Sequence, residues 1–217
     1  MERGLSYERI FPGTEAAYDQ RRRDIWPDLV EEIRASGIRQ LTAFRRGTDV
    51  WTYGEFELGA RSALDILGDK PAKRRWDHDL RDVVAQVTTD AGEPILYEEV
   101  FHTNEGPALA GPMRRGLLSL VIDPDRAAEY DALHADPWPD LIAALADSGF
   151  RNYSGFRRGA HVVYYGEYYP DMATVFRRMA EHDVDARWGK AFEDIITTIR
   201  GPDGWLITAD EVYHLEG

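Results

Sequence analysis

The fold class predicted for this chain is α+β, built as two tandem copies of a ferredoxin-like β-α-β-β-α-β unit. Three observations predict it. The sequence repeats itself without a gap at a constant offset of 112, from Tyr18 and Tyr130 through Trp26 and Trp138, Gly37 and Gly149, Glu55 and Glu167, and Trp76 and Trp188, to Glu99 and Glu211. A gapless register means that loop lengths were duplicated along with the elements. Within each copy, strand-like and helix-like periodicities follow one another in that order. Finally, 217 residues give each copy the usual size of one small domain.

The second copy is read element by element. Arg115–Ile122 has the apolar, β-branched character of a strand, and Asp123-Pro124-Asp125 is a turn that also offers a helix cap. A helix follows from about Arg126. Pro137 and Pro139 cannot continue it, because each lacks an amide proton and its ring clashes with the carbonyl four residues back, so the helix breaks near Ala135–Pro137. It restarts with Asp136 or a neighbour as cap and a proline in its first turn, and runs over Trp138–Ser148 to a stop at Gly149. Phe150–Phe156 and Val162–Tyr169 are β-rich runs joined by Arg157-Arg158-Gly159-Ala160, where the glycine suits a tight hairpin turn. Helices over Asp171–Glu181 and Val184–Arg200, a turn at Gly201–Gly204 and a strand over Trp205–His214 complete the unit.

A four-stranded sheet with helices on one face must cover its other face. The second copy is the natural cover, so the expected arrangement is an intramolecular version of a dimeric α/β barrel. Two separate, weakly touching domains are the alternative. The expected boundaries are 1–103 and 114–217, with a linker over 104–113 that carries Gly106-Pro107 and Gly111-Pro112. The molecule is then a monomer holding its own pseudo-dimer, or a homodimer of it.

Composition narrows the function. A formal charge of -13 repels a phosphate backbone, and the arginine clusters are short and interrupted by acids, so nucleic acid is not an expected partner. No segment approaches the roughly 18 consecutive apolar residues of a membrane span. Residues 1–13 carry no basic run followed by an apolar stretch, and a cytoplasmic protein is expected. The absence of cysteine removes disulfides and thiolate chemistry. His78, His102, His161, His182 and His214 show no zinc-ligand spacing, Glu181-His182-Asp183 reads as a helix cap, and phosphate loops, dinucleotide fingerprints and nucleophile elbows are missing, so neither metal nor cofactor is expected.

The copies differ where chemistry is most easily carried: His134 in the second stands opposite Arg22 in the first. Tyr130, His134 and Trp138 fall at i, i+4 and i+8, which puts the first two on one helix face with the tryptophan close by after the break. The helix C-terminus favours the imidazolium and partial burial opposes it, so His134 is placed to titrate near neutrality as a general acid/base requires. The same stripe reads equally as core, with a satisfied structural histidine in it. Arg22 is always charged and cannot act as an acid. It pairs with Asp19 or another nearby acid at the surface, or binds an anionic group.

The run from Tyr130 through His134 to Trp138-Pro139-Asp140-Leu141, followed by Gly149-Phe-Arg-Asn152-Tyr153, Arg187-Trp188 and Glu211-Val212-Tyr213, resembles the L-rhamnose mutarotase family in order and spacing. The first repeat resembles it more loosely, through Tyr18, Ile25-Trp26-Pro27-Asp28-Leu29, Gly37, Arg75-Trp76 and Glu99-Val100-Phe101. The resemblance implies a dimeric α/β barrel and a cofactor-free interconversion of the α and β anomers of a deoxy-hexose. It also implies that His134 is the proton donor, that Tyr130 and Tyr153 contact substrate, and that Trp188 is the first of two adjacent tryptophans lining the sugar site. Gly189 stands where the second belongs. In the first repeat these positions hold Arg22, Leu41 and, for the second tryptophan, Asp77.

Mutarotation needs a proton delivered to the ring oxygen while another leaves the anomeric hydroxyl. Glu167, in a strand rich in tyrosine (Tyr164, Tyr165, Tyr168, Tyr169), is the candidate second proton carrier, although Glu55 holds the same place in the repeat without the histidine. Trp138 and Trp188 offer planes for the apolar sugar face, and Asn152 and the tyrosine hydroxyls offer hydrogen bonds to the ring hydroxyls. Gly189 enlarges the pocket and points to a bulkier or different substrate. The expected function is therefore a cofactor-free isomerase interconverting anomers of a deoxy-hexose such as L-rhamnose, active in the C-terminal repeat over a degenerate N-terminal one. A cyclase or isomerase of the same barrel acting on a polyketide-like molecule, and a non-catalytic ligand-binding module, are the alternatives.

Overall fold

The structure is a computed structural model and describes residues 1–202, 204 and 206–216. The predicted fold class is observed: each repeat is a ferredoxin-like unit of antiparallel strands and helices. The first repeat contributes β1 (Glu2–Ile10), α1 (Glu15–Arg23), α2 (Pro27–Ala35), β2 (Ile38–Arg46), β3 (Asp49–Phe56), α3 (Ala60–Gly68), α4 (Pro71–Asp79), the short β4 (Val84–Gln86) and β5 (Leu96–Thr103). The second contributes β6 (Arg114–Ile122), α5 (Ala127–Ala135), α6 (Pro139–Ser148), β7 (Phe150–Arg158), β8 (His161–Tyr168), α7 (Met172–Met179), α8 (Asp183–Ala191), the short β9 (Ile196–Thr198) and β10 (Thr208–Glu216).

The compact units are not the repeats. One comprises residues 1–97 and 210–217, the other residues 98–209, because each repeat's last strand changes sheet part-way along. β5 pairs with β1 at Leu96 and Tyr97 and with β7 over Glu98–Thr103. β10 pairs with β6 at Thr208 and Ala209 and with β2 over Asp210–Glu216. The first unit therefore has the sheet order β10-β2-β3-β1 and the second β5-β7-β8-β6.

The prolines act as expected. Each splits the first helical segment of its repeat, with Pro27 opening α2 and Pro139 opening α6 at positions where a missing amide costs nothing. The cap is not Asp136: Trp138 holds the N-cap position of α6 and no side chain bonds the free amides. His182 likewise precedes α8 without a side-chain capping bond. Gly149 ends α6 with φ +104, and a Cβ there would lie 2.6 Å from the Tyr169 carbonyl oxygen, so glycine is required on both counts. The helix expected over Val184–Arg200 is shorter. α8 stops at Ala191, and the β-branched Ile196-Thr197-Thr198 pairs with β6 instead, as tertiary pairing overrides helical periodicity. The last strand starts at Thr208, later than expected, and Trp205 lies outside the described residues.

Each unit packs one face of its sheet under its own helices. The core of the first joins Ile10, Tyr18, Leu29, Val50, Phe56 and Trp76, and that of the second joins Tyr130, Leu141, Phe150, Tyr153, Tyr164 and Phe192.

Candidate functional site

In the second unit α5 and β8 bring His134 against an aromatic cluster. His134 is 6% exposed. Its ring stacks on Tyr130 at 4.3 Å and meets Phe101, Trp188 and Phe192 at 5.7, 5.5 and 5.1 Å. Nδ1 lies 2.9 Å from the Tyr130 carbonyl oxygen, which only accepts, so Nδ1 carries the proton and Nε2 is an acceptor. The Tyr164 hydroxyl donates to Nε2 at 2.6 Å, which leaves the Tyr130 hydroxyl to donate to Tyr164 at 2.5 Å. Burial pushes the imidazole below its ordinary value, against the opposing pull of the Tyr130 carbonyl and Asp131. His134 is a neutral base with its lone pair already occupied.

The structure gathers five of the seven residues singled out from sequence. Trp138 packs edge-on to Trp188 at 5.2 Å, and Tyr153 stacks on Tyr164 at 5.1 Å, so both join His134 and Tyr130 in one cluster. Glu167 and Asn152 lie elsewhere. Side chains alternate along a strand, and Tyr164 and Tyr168 of β8 enter the helix-side core while Tyr165 and Glu167 occupy the opposite face. There Glu167 accepts from Tyr165 at 3.0 Å and from Asn152 at 3.2 Å. Glu55 repeats the first of these contacts with Tyr53. Gly189 is not forced by packing, since a Cβ there would meet nothing within 4 Å.

The first unit has a cavity of about 490 Å³ at the corresponding place, lined by Arg22, Leu41, Thr52, Trp76, Asp77 and Leu80 among others. Where the second repeat has Tyr153, Tyr164 and Phe192, the first has the smaller Leu41, Thr52 and Leu80. The missing rings leave the space open. Its polar lining also has no counterpart: Glu8 stands at the position of Leu120 and Tyr213 at that of Phe101.

Arg22 does not pair with Asp19, which Arg45 holds at 2.6 Å. It turns inward instead, donating from Nη2 to Glu8 Oε1 at 2.7 Å and from Nε to the Tyr18 hydroxyl at 2.8 Å, and Tyr18 donates to the same Glu8 oxygen. The Arg22 and Glu8 side chains are 14% and 16% exposed, so the surface ion pair expected from sequence is a largely buried one. Burial opposes the arginine charge, but Tyr18 and Glu8 outweigh it and hold the guanidinium pKa above its ordinary value. The guanidinium also lies over the Tyr18 and Trp76 rings, at 5.2 and 5.9 Å. All these bonds fall on Oε1, and Oε2 has no partner among the described residues. The Tyr213 hydroxyl is buried and has no hydrogen-bond partner among the described residues. Burial raises its pKa, partly offset by Arg22 and Arg34.

The lone acid at an apolar strand position was the sequence signal for Glu8. Tyr213 was marked only as part of Glu211-Val212-Tyr213 in the family resemblance, and nothing local placed it at this cavity, which it reaches from the far end of the chain.

A family model of L-rhamnose mutarotases matches residues 6–103 and again residues 115–215. This chain belongs to the L-rhamnose mutarotase family. Curated relatives bearing that name include one from Acidiphilium cryptum, 32% identical over 104 residues, and one from Lactiplantibacillus plantarum, 34% identical over 101 residues. Each match spans 92% and 93% of the relative but only 44% and 45% of this chain, so a mutarotase relative corresponds to one repeat. Over its whole length the chain shares its fold with solved structures of putative monooxygenases. One from Fusobacterium nucleatum has TM-score 0.63 and 8% identity, covering 99% of this chain and 93% of that one. One from Lactobacillus acidophilus has TM-score 0.59 and 7% identity, covering 99% and 95%. As a member of the mutarotase family, the chain is related to isomerases that interconvert sugar anomers, and the family model matches it twice, once over each repeat.

Proposed function

We propose that this chain interconverts the anomers of a reducing pyranose of the L-rhamnose kind, and that it does so in the cavity of the first unit. The cavity carries the reading. It lies at the place that corresponds, across the repeat, to the His134 cluster, falls within the roughly 300–1,000 Å³ of small-molecule sites, and holds a carboxylate oxygen and a phenol without partners among the described residues. Glu8 Oε2 takes the proton of the anomeric hydroxyl as the C1–O5 bond opens, and the departing ring oxygen takes the Tyr213 proton. The aldehyde rotates about C1–C2, closes on its other face, and the two protons return. Arg22 and Tyr18 are positioning residues that hold Glu8 by its other oxygen. Trp76, with Leu41 and Leu80, receives the apolar face of the sugar.

A second reading keeps the reaction at His134, with Tyr130, Tyr153, Trp138 and Trp188 against the sugar. The Tyr130–Tyr164–His134 relay favours it, and it requires Tyr164 to move aside. Magnetisation-exchange NMR on L-rhamnose separates the two. Thr52→Tyr puts into the cavity the ring that closes the second unit, and should abolish catalysed exchange while His134→Ala retains it. The reverse outcome moves the reaction to His134, and no acceleration with any reducing sugar rejects both.

A further inference from the structure

The lining of the first unit's cavity and of the groove beside it includes cations at positions where the second repeat has none, together with Asp77, paired to Lys73, and Asp79, 3.7 Å from Arg21. Lys73 and Arg81 line the cavity, and Arg81 also lines an adjoining surface groove with Arg74 and Trp26. At the corresponding positions of the second repeat stand Asp185, Glu193 and Ala186, so two cations face acids across the duplication and a third faces alanine. This reversal occurs in a chain of net charge -13. The neighbouring cations are committed: Lys73 pairs with Asp77 at 2.5 Å, and Arg75 pairs with Asp28 and covers the Trp26 ring at 5.4 Å. The Arg74 and Arg81 side chains are exposed and have no ion pair or hydrogen bond with any described residue. Each guanidinium presents a planar fork of donors suited to a carboxylate or phosphate, and Arg81 lines both the cavity and the groove that Arg74 shares.

We infer that the sugar taken by this cavity carries an anionic substituent, held at the mouth by Arg81 and Arg74. The inference rests on the reading that the cavity is the anomer-exchange site. Mutarotation requires a free anomeric hydroxyl, which that reading places at Glu8 and Tyr213. The anion is therefore on a carbon other than C1, and C6, which lies outside the ring, carries it as a carboxylate or a phosphate without the loss of a ring hydroxyl. The substrate class is a reducing hexuronate or hexose 6-phosphate, in which the charged group replaces the C6 methyl of a 6-deoxy-sugar.

Exchange rates of L-rhamnose, D-galacturonate, D-glucuronate and D-mannose 6-phosphate, each corrected for its spontaneous rate in the same buffer, test this with the wild-type chain and with the Arg74→Gln/Arg81→Gln variant. Both replacements are on exposed side chains outside the proposed exchange machinery. At low salt an anionic sugar should exceed L-rhamnose in kcat/KM by roughly tenfold or more, the scale of one charge-assisted contact. The variant and about 0.5 M salt should each remove that advantage and leave L-rhamnose unchanged. The uronate and phosphate arms decide which anion is preferred. Equal rates for charged and neutral sugars, or a preference that survives in the variant, overturn the inference and leave the exchange reading standing. If no sugar is turned over, the exchange reading fails, and calorimetric titration decides the inference alone: binding of galacturonate or mannose 6-phosphate lost in the variant supports it, and no binding overturns it.

Discussion

Replacing Glu8 with glutamine changes one charge and almost no volume, which makes its consequences calculable. Glutamine still accepts from Tyr18 through its carbonyl oxygen, but Arg22 loses its counter-ion while its side chain stays only 14% exposed. Stranding one member of a fully buried pair costs about 3–5 kcal/mol. Both side chains here retain some contact with the open cavity, so roughly 1–3 kcal/mol is expected, a fall in Tm of about 2–12 °C for a chain of this size. The effect on turnover is separate. Removing a positioned general base typically slows proton transfer by about 10²–10⁴-fold. Exchange NMR on purified, folded Glu8→Gln should therefore show catalysis lost, while a Glu8→Gln/Arg22→Met double variant regains most of the lost stability and none of the activity. Wild-type exchange rates in folded Glu8→Gln would refute the assignment of Glu8 as base.

Tyr213→Phe deletes an unpaired buried hydroxyl, so it should leave Tm unchanged or raise it slightly while slowing catalysed exchange by about 10²–10⁴-fold, read as kcat in the exchange assay. His134 has a depressed folded-state value, so the unfolded chain binds its proton first on acidification. Its neutral, buried form contributes stability in full above the unfolded value of 6.5, and that contribution is lost as pH falls from there towards the folded value, by up to about 1.4 kcal/mol per pH unit. Urea titrations from pH 7.5 to 5 should show a steeper decline in the wild type than in His134→Asn. Gly189→Ala should stabilise by about 0.5–1 kcal/mol in the same titrations, because the residue lies inside α8 and a Cβ there meets nothing within 4 Å.

The repeat made most of the fold legible. A gapless register carried every loop length, and the prolines of Trp26-Pro27 and Trp138-Pro139 fixed the helix breaks through local chemistry alone. What escaped was non-local. The change of sheet within β5 and β10 depends on which strand lies alongside, and nothing in Leu96–Thr103 marks Tyr97 as the crossing point. The site was legible as a cluster: helical spacing gathered Tyr130, His134 and Trp138, and the family pattern added Tyr153 and Trp188. Its accessibility was not legible, because it turns on the bulk of Tyr164 and Phe192, residues distant in sequence from His134. Glu167 was misplaced as a partner of His134 for a simpler reason. Its strand alternates, and Tyr164 had already claimed the helix-side face.

The open and closed sites also differ in what they ask of the surrounding core. A cavity of about 490 Å³ lined only by carbon would lose packing contacts on every wall, at about 24 cal/mol per Å³ by the measure of core truncations, roughly 12 kcal/mol in all and comparable with the whole net stability of a folded domain. It is tolerable where water or a ligand fills it, and that requires polar groups on the wall. Glu8, Arg22, Thr52 and Tyr213 supply them in the first unit; the second has Leu120, His134, Tyr164 and Phe101 in their places, and there the only titratable base is already bonded to tyrosine. Opening the space around His134 by Tyr164→Thr would thus free the Tyr130 hydroxyl and His134 Nε2 in an otherwise aromatic wall, whereas the first unit already has a charged and hydrogen-bonding wall. The exchange of His134 for Arg22 is in this sense secondary. On the proposed reading, the substitutions that decide where a sugar can enter are Glu8 for Leu120 and Thr52 for Tyr164, one making the wall polar and the other making room.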